Sequence, residues 1–411
     1  MVWMVLIQRY YYMCNLQKKR HLYQISALVL LLLLLAACSG SNTGNSSTPA
    51  ATTKPGQSQT PGEADTPTQV PGIRFGAQPC PLAVNTPEHW DPIIPTQAGT
   101  SKVESVTCGY LKGVVRLQAL VTVRYDGTGG NLDVYVYDNL TSSPPDQMFK
   151  LQGLSHGQTK ISGYNSVLTV EVDENSHVNK GKAAASQIAD LAREFKWSDG
   201  AGTLVPVAFS GIFPDLTRYQ AEADQKDVNQ GKDIWKLNPT RTAQEFGATL
   251  LHWDANAQAT VVSGGGQHDA EAEVTLKNTA AGSKPVTLSM ARLEGNTNGG
   301  IWIITAVSAT GMEITAPQGL STIQSPVTIA GKGDAFEAVI GTVTVLDHLY
   351  TDVGHATARG AQGNGNTTFS TGVTFNSTFQ TGAEDGLVML SAENNASGGT
   401  SAVVIIKVLL Q

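Results

Sequence analysis

Between Ser39 and Gly72, 22 of 34 residues are Ser, Thr, Pro or Gly. The stretch has no aromatic residue, and Val70 is its one large aliphatic side chain. No hydrophobic core forms from such a composition, so folding is confined to the chain beyond it. Pro49, Pro55, Pro61 and Pro67 recur every six residues and stiffen it locally. As a flexible chain the segment spans about 30 Å root-mean-square. Residues 38–72 are therefore predicted to be a disordered tether.

Upstream, Lys18-Lys19-Arg20-His21 precedes the apolar run from Ile25 to Ala37. A spanning helix needs about 20 apolar residues, and this run is shorter. A basic segment before a short apolar core reads as an export signal over residues 1–37. Met13 gives a more typical start than Met1 for such a segment. The run closes in Leu35-Ala36-Ala37-Cys38, which resembles the bacterial lipoprotein signal. That resemblance implies cleavage before Cys38 and acylation of its thiol. The chain would then be lipid-anchored at the outer face of the cytoplasmic membrane, or in the outer membrane. The formal net charge is −7, and it becomes −11 without residues 1–37, which carry four basic and no acidic residues. No polybasic stripe remains, so nucleic acid and charge-driven lipid binding are excluded as partners. The membrane partner is reached through the acyl chains.

Cys80 and Cys108 are the pair left once Cys14 goes with the signal and Cys38 is acylated. In an exported chain they are predicted to form a disulfide. Closing that loop stabilises the fold by about 3.5 kcal/mol in the chain-entropy model.

Three folded segments are expected, mostly β with some α+β. Residues 73–200 read as a β-rich domain with one helix. Leu132, Val134 and Val136 alternate with Asp133, Tyr135 and Tyr137, as on a strand, and Val167–Val172 reads as another. Ile188, Leu191, Ala192 and Phe195 are spaced for a helix over 183–195. Residues 201–310 read as helices on an antiparallel sheet. One helix runs from Pro214 to Gly231, and a second, capped by Asn238-Pro239, runs to Trp253. Four strand-like runs follow.

Residues 311–411 carry only strand signals, about seven in a hundred residues, which predicts a β-sandwich. Phe336, Val343, Val345, Phe369, Phe375 and Leu387 are its expected core. Ser325-Pro326-Val327-Thr328-Ile329-Ala330-Gly331 followed by Phe336-Glu337-Ala338 resembles the immunoglobulin-like domain of bacterial spore germination proteins. Val343-Thr344-Val345-Leu346-Asp347, Phe369 and Gly386-Leu387 fit the same pattern, although His348 stands where the family often turns with Gly. The resemblance covers the last quarter of the chain. It implies an exported, immunoglobulin-like module without catalytic activity, and it supplies no ligand residues.

Motifs for chemistry are few. Gly153-Leu154-Ser155-His156-Gly157 matches the G-x-S-x-G nucleophile elbow, but strand signals flank it and no helix start follows. Asp173-Glu174-Asn175 opens like a calcium loop, yet Val178 and Ala184 fall where Gly and Glu are required. Asp269, Glu271 and Glu273 share one strand face, as a solvated row does. No metal motif is complete and no cofactor fingerprint is present. Glu222 and Asp224 are two apart on a helix and do not face each other. Tyr219, Trp235, Phe246 and Trp253 lie in or beside the two middle helices as candidates to line a ligand pocket. The expected function is a binding or assembly module of the cell envelope, with spore germination implied by the resemblance, a protein or cell-wall partner and no catalysis. A small-ligand carrier and a cryptic envelope hydrolase are the alternatives. The expected contact surface is the sandwich edge or the loops His348–His355 and Gly360–Asn366.

Overall fold

Two antiparallel meanders open the folded part. Strands β1 (Ser101–Gly109), β2 (Gln118–Tyr125), β3 (Leu132–Asp138) and β4 (Asp146–Leu154) form one sheet in that order. Strands β5 (Gln158–Ile161), β6 (Val167–Glu171), β7 (Leu191–Ser198) and β8 (Thr203–Val207) form the next. The computed structural model describes residues 75–411 apart from 97–98, 128, 281–282, 296–298, 362 and 394–399. The expected signal segment, Cys38 and the whole of the expected tether lie outside the described residues.

Leu132, Val134 and Val136 face a core shared with Ile161, Val167, Phe195 and Leu204 of the second sheet. Tyr135 and Tyr137 face the other way, against Trp90 of the single-turn helix α1 (Pro87–Trp90). Trp90 is fully buried, and its ring lies 4.9 Å from that of Tyr137. Strand β3 is therefore covered on both faces. Its inner carboxylate, Asp133, is satisfied by the Tyr125 and Tyr135 hydroxyls, the Gln152 amide and the Gly153 N–H. Cys80 and Cys108 lie at bonding distance, 2.11 Å between sulfurs, and tie the segment before α1 to β1. A thiol count on denatured, unreduced protein lacking Cys38 is expected to find none free. Cys80→Ala with Cys108→Ala is expected to lower stability by about 3.5 kcal/mol.

The helix expected over 183–195 is replaced by a 3₁₀ turn at Ala184–Ser186, a loop and then β7. The helical spacing misleads because Leu191 to Phe195 is buried without a break, the pattern of a strand covered on both sides. Ile188 is exposed, and the Asn179 side chain clamps its backbone N–H and C=O, supplanting helix hydrogen bonds.

Helix α2 (Arg218–Asn229) starts four residues after Pro214 because Thr217 and Gln220 close a capping box there. Gly231 sits just beyond its end at φ +82°, a conformation that favours glycine. Helix α3 (Pro239–Leu250) is capped by the Asn238 side chain, which accepts from the Thr240 and Arg241 N–H groups. It lies on the meander β9 (Gln258–Gly264), β10 (Glu271–Lys277), β11 (Val286–Ala291) and β12 (Ile303–Ala309).

The C-terminal segment is an immunoglobulin-like sandwich. One sheet is β13 (Glu313–Ala316), β15 (Val327–Ala335) and β18 (Gly365–Val373). The other is β17 (Asp352–Arg359), β16 (Val339–Leu346), β19 (Glu384–Glu393) and β20 (Thr400–Leu410), with β14 (Thr322–Ile323) parallel to β20. Val343, Val345, Phe369, Phe375 and Leu387 are buried between them as expected. Phe336 is not: it is 61% exposed, because a tight turn closed by the Phe336–Val339 bridge separates β15 from β16 where one strand was expected over 335–346. Strand β17 was hidden from sequence by Gly354 and its polar residues. Strand β12 pairs with β20 at Val307 and Ile405, so the boundary expected at 310/311 falls within one nine-stranded sheet and one continuous core.

Candidate functional site

The G-x-S-x-G match is a strand reversal. Leu154 ends β4, Gln158 begins β5, and Gly153 and His156 turn the chain at φ +75° and +50°. A Cβ on Gly157 would stand 2.6 Å from the Leu154 Cβ, so glycine is required for close approach. The strand-turn-strand context lacks the helix that an elbow needs. Ser155 nevertheless borders a cleft of about 280 Å³, with Glu171, Asp173 and Glu174 on one side and Phe379 and Gln380 on the other.

Behind this cleft the β6–β7 loop meets the C-terminal sandwich through buried polar groups. Glu171 and Arg193 form an ion pair, and the Arg193 guanidinium lies 5.3 Å from the Phe195 ring and 4.9 Å from that of Phe379. Asp173 accepts from the Asn175 N–H through Oδ1, and its own N–H donates to Asp190 Oδ1 at 2.9 Å. His348, 3% exposed, is hydrogen-bonded through Nδ1 to Glu384, whose other oxygen accepts from Ser377. Its Nε2 stands 3.7 Å from Asp190 Oδ2, too far for a hydrogen bond. Burial opposes charge on the ring, but Asp190 and Glu384 outweigh it and raise the pKa to about 10. Asp173 Oδ2, Ser176 Oγ, Asp190 Oδ2, Asp347 Oδ2 and His348 Nε2 have no hydrogen-bond partner. The sequence placed His348 in a contact loop; its burial removes it from that surface. Sequence reasoning missed this seam because its members come from positions 171–190 and 347–384, with no local spacing to join them.

A second buried network joins α2 to the second sheet and to the segment after β11. Arg218 Nε lies 3.0 Å from both Glu194 oxygens, and Nη1 lies 2.6 Å from Glu294 Oε1. Burial is the largest influence on Glu294; it outweighs Arg218, and the carboxyl pKa rises to about 8. Asp224 pairs with Lys236, and burial beside Asp224 holds Asp215 well above the carboxylate range. Glu222 instead takes Lys160 and the Gly163 N–H, so the two helix carboxylates diverge as their spacing requires.

The four candidate aromatics do not line one pocket. Phe246 and Trp253 are core residues beneath α3, where the helix stripe meets the sheet. The Trp253 Nε1 donates to the Thr400 carbonyl at 3.0 Å. Trp235 packs half-buried against the same core. Tyr219 lies apart, its hydroxyl 3.2 Å from Gln158 Oε1 and its ring under Lys160. Asp269 closes a turn onto the Gly266 N–H, and Glu271 is exposed. Among the described residues no group of three or more His, Cys, Asp or Glu side chains is placed to hold a metal ion.

A groove of about 850 Å³ lies at the Phe336 turn. Phe336 and Val339 exchange two backbone hydrogen bonds of 2.9 Å around Glu337 and Ala338, at φ +50° and +64°. Both corner positions thus need the left-handed backbone of a type I′ turn, which favours Asn-Gly. Glu-Ala there is strained. The loop Gly360–Asn366 braces the corner: Glu337 N–H donates to Asn364 and Ala338 N–H to the Gly363 carbonyl. Lys284, Asp334 and Arg359 supply charge along the groove.

No protein-family model matches the chain, and no curated protein matches it. Among solved structures, a C-terminally truncated trimeric ectodomain of the C. elegans fusion protein EFF-1 aligns over 85% of this chain and 80% of its own, at 11% identity and a TM-score of 0.15. A likeness this slight carries neither fold nor function.

Proposed function

We propose that the chain is a lipid-anchored, extracytoplasmic binding module of the cell envelope. It acts by contact, without turnover. Cys38 holds it to the membrane, the tether lifts it from the surface, and the Phe336 groove meets a protein or cell-wall partner. The observation that carries this reading is the Phe336 turn: a strained two-residue corner, braced by Gly363 and Asn364, holds an aromatic side chain in water beside a groove of about 850 Å³. Strain of this kind concentrates at functional sites. Aromatic residues are enriched in interfaces relative to the rest of a protein's surface. The resemblance of Ser325–Ala338 to the spore germination module supports an envelope role of the same kind.

The test uses full-length protein and Phe336→Ala against isolated cell-wall and envelope-protein fractions. Truncating an anchor costs about 2 kcal/mol, so affinity is expected to fall about thirtyfold, with the melting temperature unchanged. Parent protein that binds neither fraction, or equal binding by Phe336→Ala, would overturn the reading.

A further inference from the structure

We propose that Lys407 and Asp385 join in an intrachain amide, an isopeptide cross-link between β20 and β19 that the fold itself brings about.

The two residues sit on paired strands. Leu387 stands opposite Lys407 and Leu409 opposite Asp385, which makes Asp385 and Lys407 diagonal neighbours on one face of the sheet. Lys407 Nζ lies 3.0 Å from Asp385 Oδ1, and each side chain is only 2% exposed. Among the described residues no other lysine–carboxylate pair is dry on both sides; Lys236 is buried, but its partner Asp224 is 23% exposed. Both ends are also held from elsewhere. Lys407 Nζ donates to the Leu216 carbonyl at 2.6 Å, and Asp385 accepts from the Phe209 N–H. An amine fixed about 3 Å from a carboxyl is close to the geometry of attack, and its entropy of approach has already been lost in folding.

The site also favours the reactive protonation states. An ammonium has no lone pair to attack with, and a carboxylate resists attack. Burial is the largest influence on both groups. It raises the Asp385 carboxyl to about 6 against the pull of Lys407, with Glu194 adding to the rise, and it lowers the Lys407 ammonium. Passing one proton from the ammonium to the carboxylate leaves an amine and a carboxylic acid, the pair that reacts. The Lys407 nitrogen bonds to the Asp385 carboxyl carbon, and the bond from that carbon to its hydroxyl breaks. The hydroxyl takes one hydrogen from the nitrogen and leaves as water, so acid plus amine become amide plus water with no other reactant. Reversal needs water, which the site excludes. The event occurs once per chain and is not turnover. Strand β20 pairs with β12, β14 and β19, so the bond fixes the strand that joins the helix-covered meander to the sandwich.

The test is peptide mass analysis of full-length protein, folded first and then denatured and digested. Lys407 is the one tryptic site beyond Arg359. Trypsin is therefore expected to spare it and to release residues 360–411 whole, lighter than their sequence by one water. Cleavage after glutamate should leave residues 385–393 joined to residues 394–411. Lys407→Arg keeps the positive charge but cannot form the bond, and its fragments should separate at full mass. Asp385→Asn should form the same bond by losing ammonia, giving a linked peptide of the parent's mass, and serves if Lys407→Arg fails to fold. Protein denatured as it is made, and never folded, should show no link. A parent whose 360–411 segment has full mass and is cut after Lys407 would overturn the proposal and leave a buried ion pair. So would a missing water confined to the Asp385-Gly386 peptide with no second peptide attached, the mark of ring closure onto the backbone.

Discussion

Arg218→Leu is expected to destabilise the protein by about 3–5 kcal/mol, read from the denaturant midpoint at pH 7. The side chain sits 11% exposed between Glu194 and Glu294, themselves 2% and 5% exposed. Removing it leaves the buried Glu194 carboxylate with only the part-exposed Lys196, 3.5 Å away, and takes the guanidinium donor from the buried Glu294 carboxyl; buried charges and polar groups left without partners are among the most costly defects a fold can carry. It also removes a guanidinium lying 4.1 Å from the Tyr164 ring and 4.9 Å from that of Phe209. The pH dependence follows from Glu294. Its carboxyl has an ordinary value of 4.5 and is raised to about 8 in the fold. The folded state thus holds this proton more tightly than the unfolded chain does. Its stabilising effect is complete below pH 4.5, declines as pH rises toward 8, and is gone above that. Glu294→Gln should flatten the slope in that window, and combined with Arg218→Leu it should recover part of the loss. A loss under about 1 kcal/mol for Arg218→Leu would mean that the two carboxylates simply protonate at little cost.

Much of the fold was legible because its strands are punctuated and its helices capped. Asn238-Pro239 marked a helix start correctly, and the alternation from Leu132 to Tyr137 assigned both faces of β3 before any coordinates. What failed did so for a common reason: a local pattern was read without knowing what covered it. Leu191 to Phe195 looked helical because a strand buried on both sides shows no alternation. Phe336 looked like core because it is aromatic, yet the two following residues turn the chain back at once. The pairing of β12 with β20 joins positions almost a hundred residues apart, and no periodicity encodes it.

The site was less legible than the fold. The motif that matched a catalytic pattern, around Ser155, proved to be turn glycines with a serine between them. The polar groups with real electrostatic work to do carried no motif. Glu294 lies after β11 and Arg218 at the start of α2, 76 residues apart, and only the folded chain brings them to 2.6 Å. The sequence placed His348 in a contact loop, standing where the family that the sandwich resembles often turns with Gly. Its ring is instead held in the interior by Asp190, just before β7, and Glu384, at the start of β19. Candidate aromatics near a helix proved to be the ordinary contents of a helix-on-sheet core.

Cys38→Ala is expected to move essentially all of the protein out of the membrane fraction, or to leave the signal uncleaved. Without residues 1–37 the chain carries a net charge of −11, so an anionic bilayer repels it and offers no electrostatic foothold. Among the described residues no helix is long and apolar enough to cross a membrane. In the proposed anchor, attachment rests on acyl chains at one thiol. A single chain binds only marginally, so the anchor needs more than one, and losing the thiol removes all of them together. The measurement is metabolic labelling with a fatty-acid analogue, followed by fractionation. Label on the parent and none on Cys38→Ala supports the anchor. Label retained by Cys38→Ala, or a parent found wholly in the soluble fraction, refutes it. The variant also separates tether from fold: protein released in this way should keep its melting temperature and its Phe336-dependent binding in solution, because residues 39–72 contribute no core. Binding that vanished on release while the fold stayed intact would place the partner at the membrane surface itself, within the tether's reach of about 30 Å.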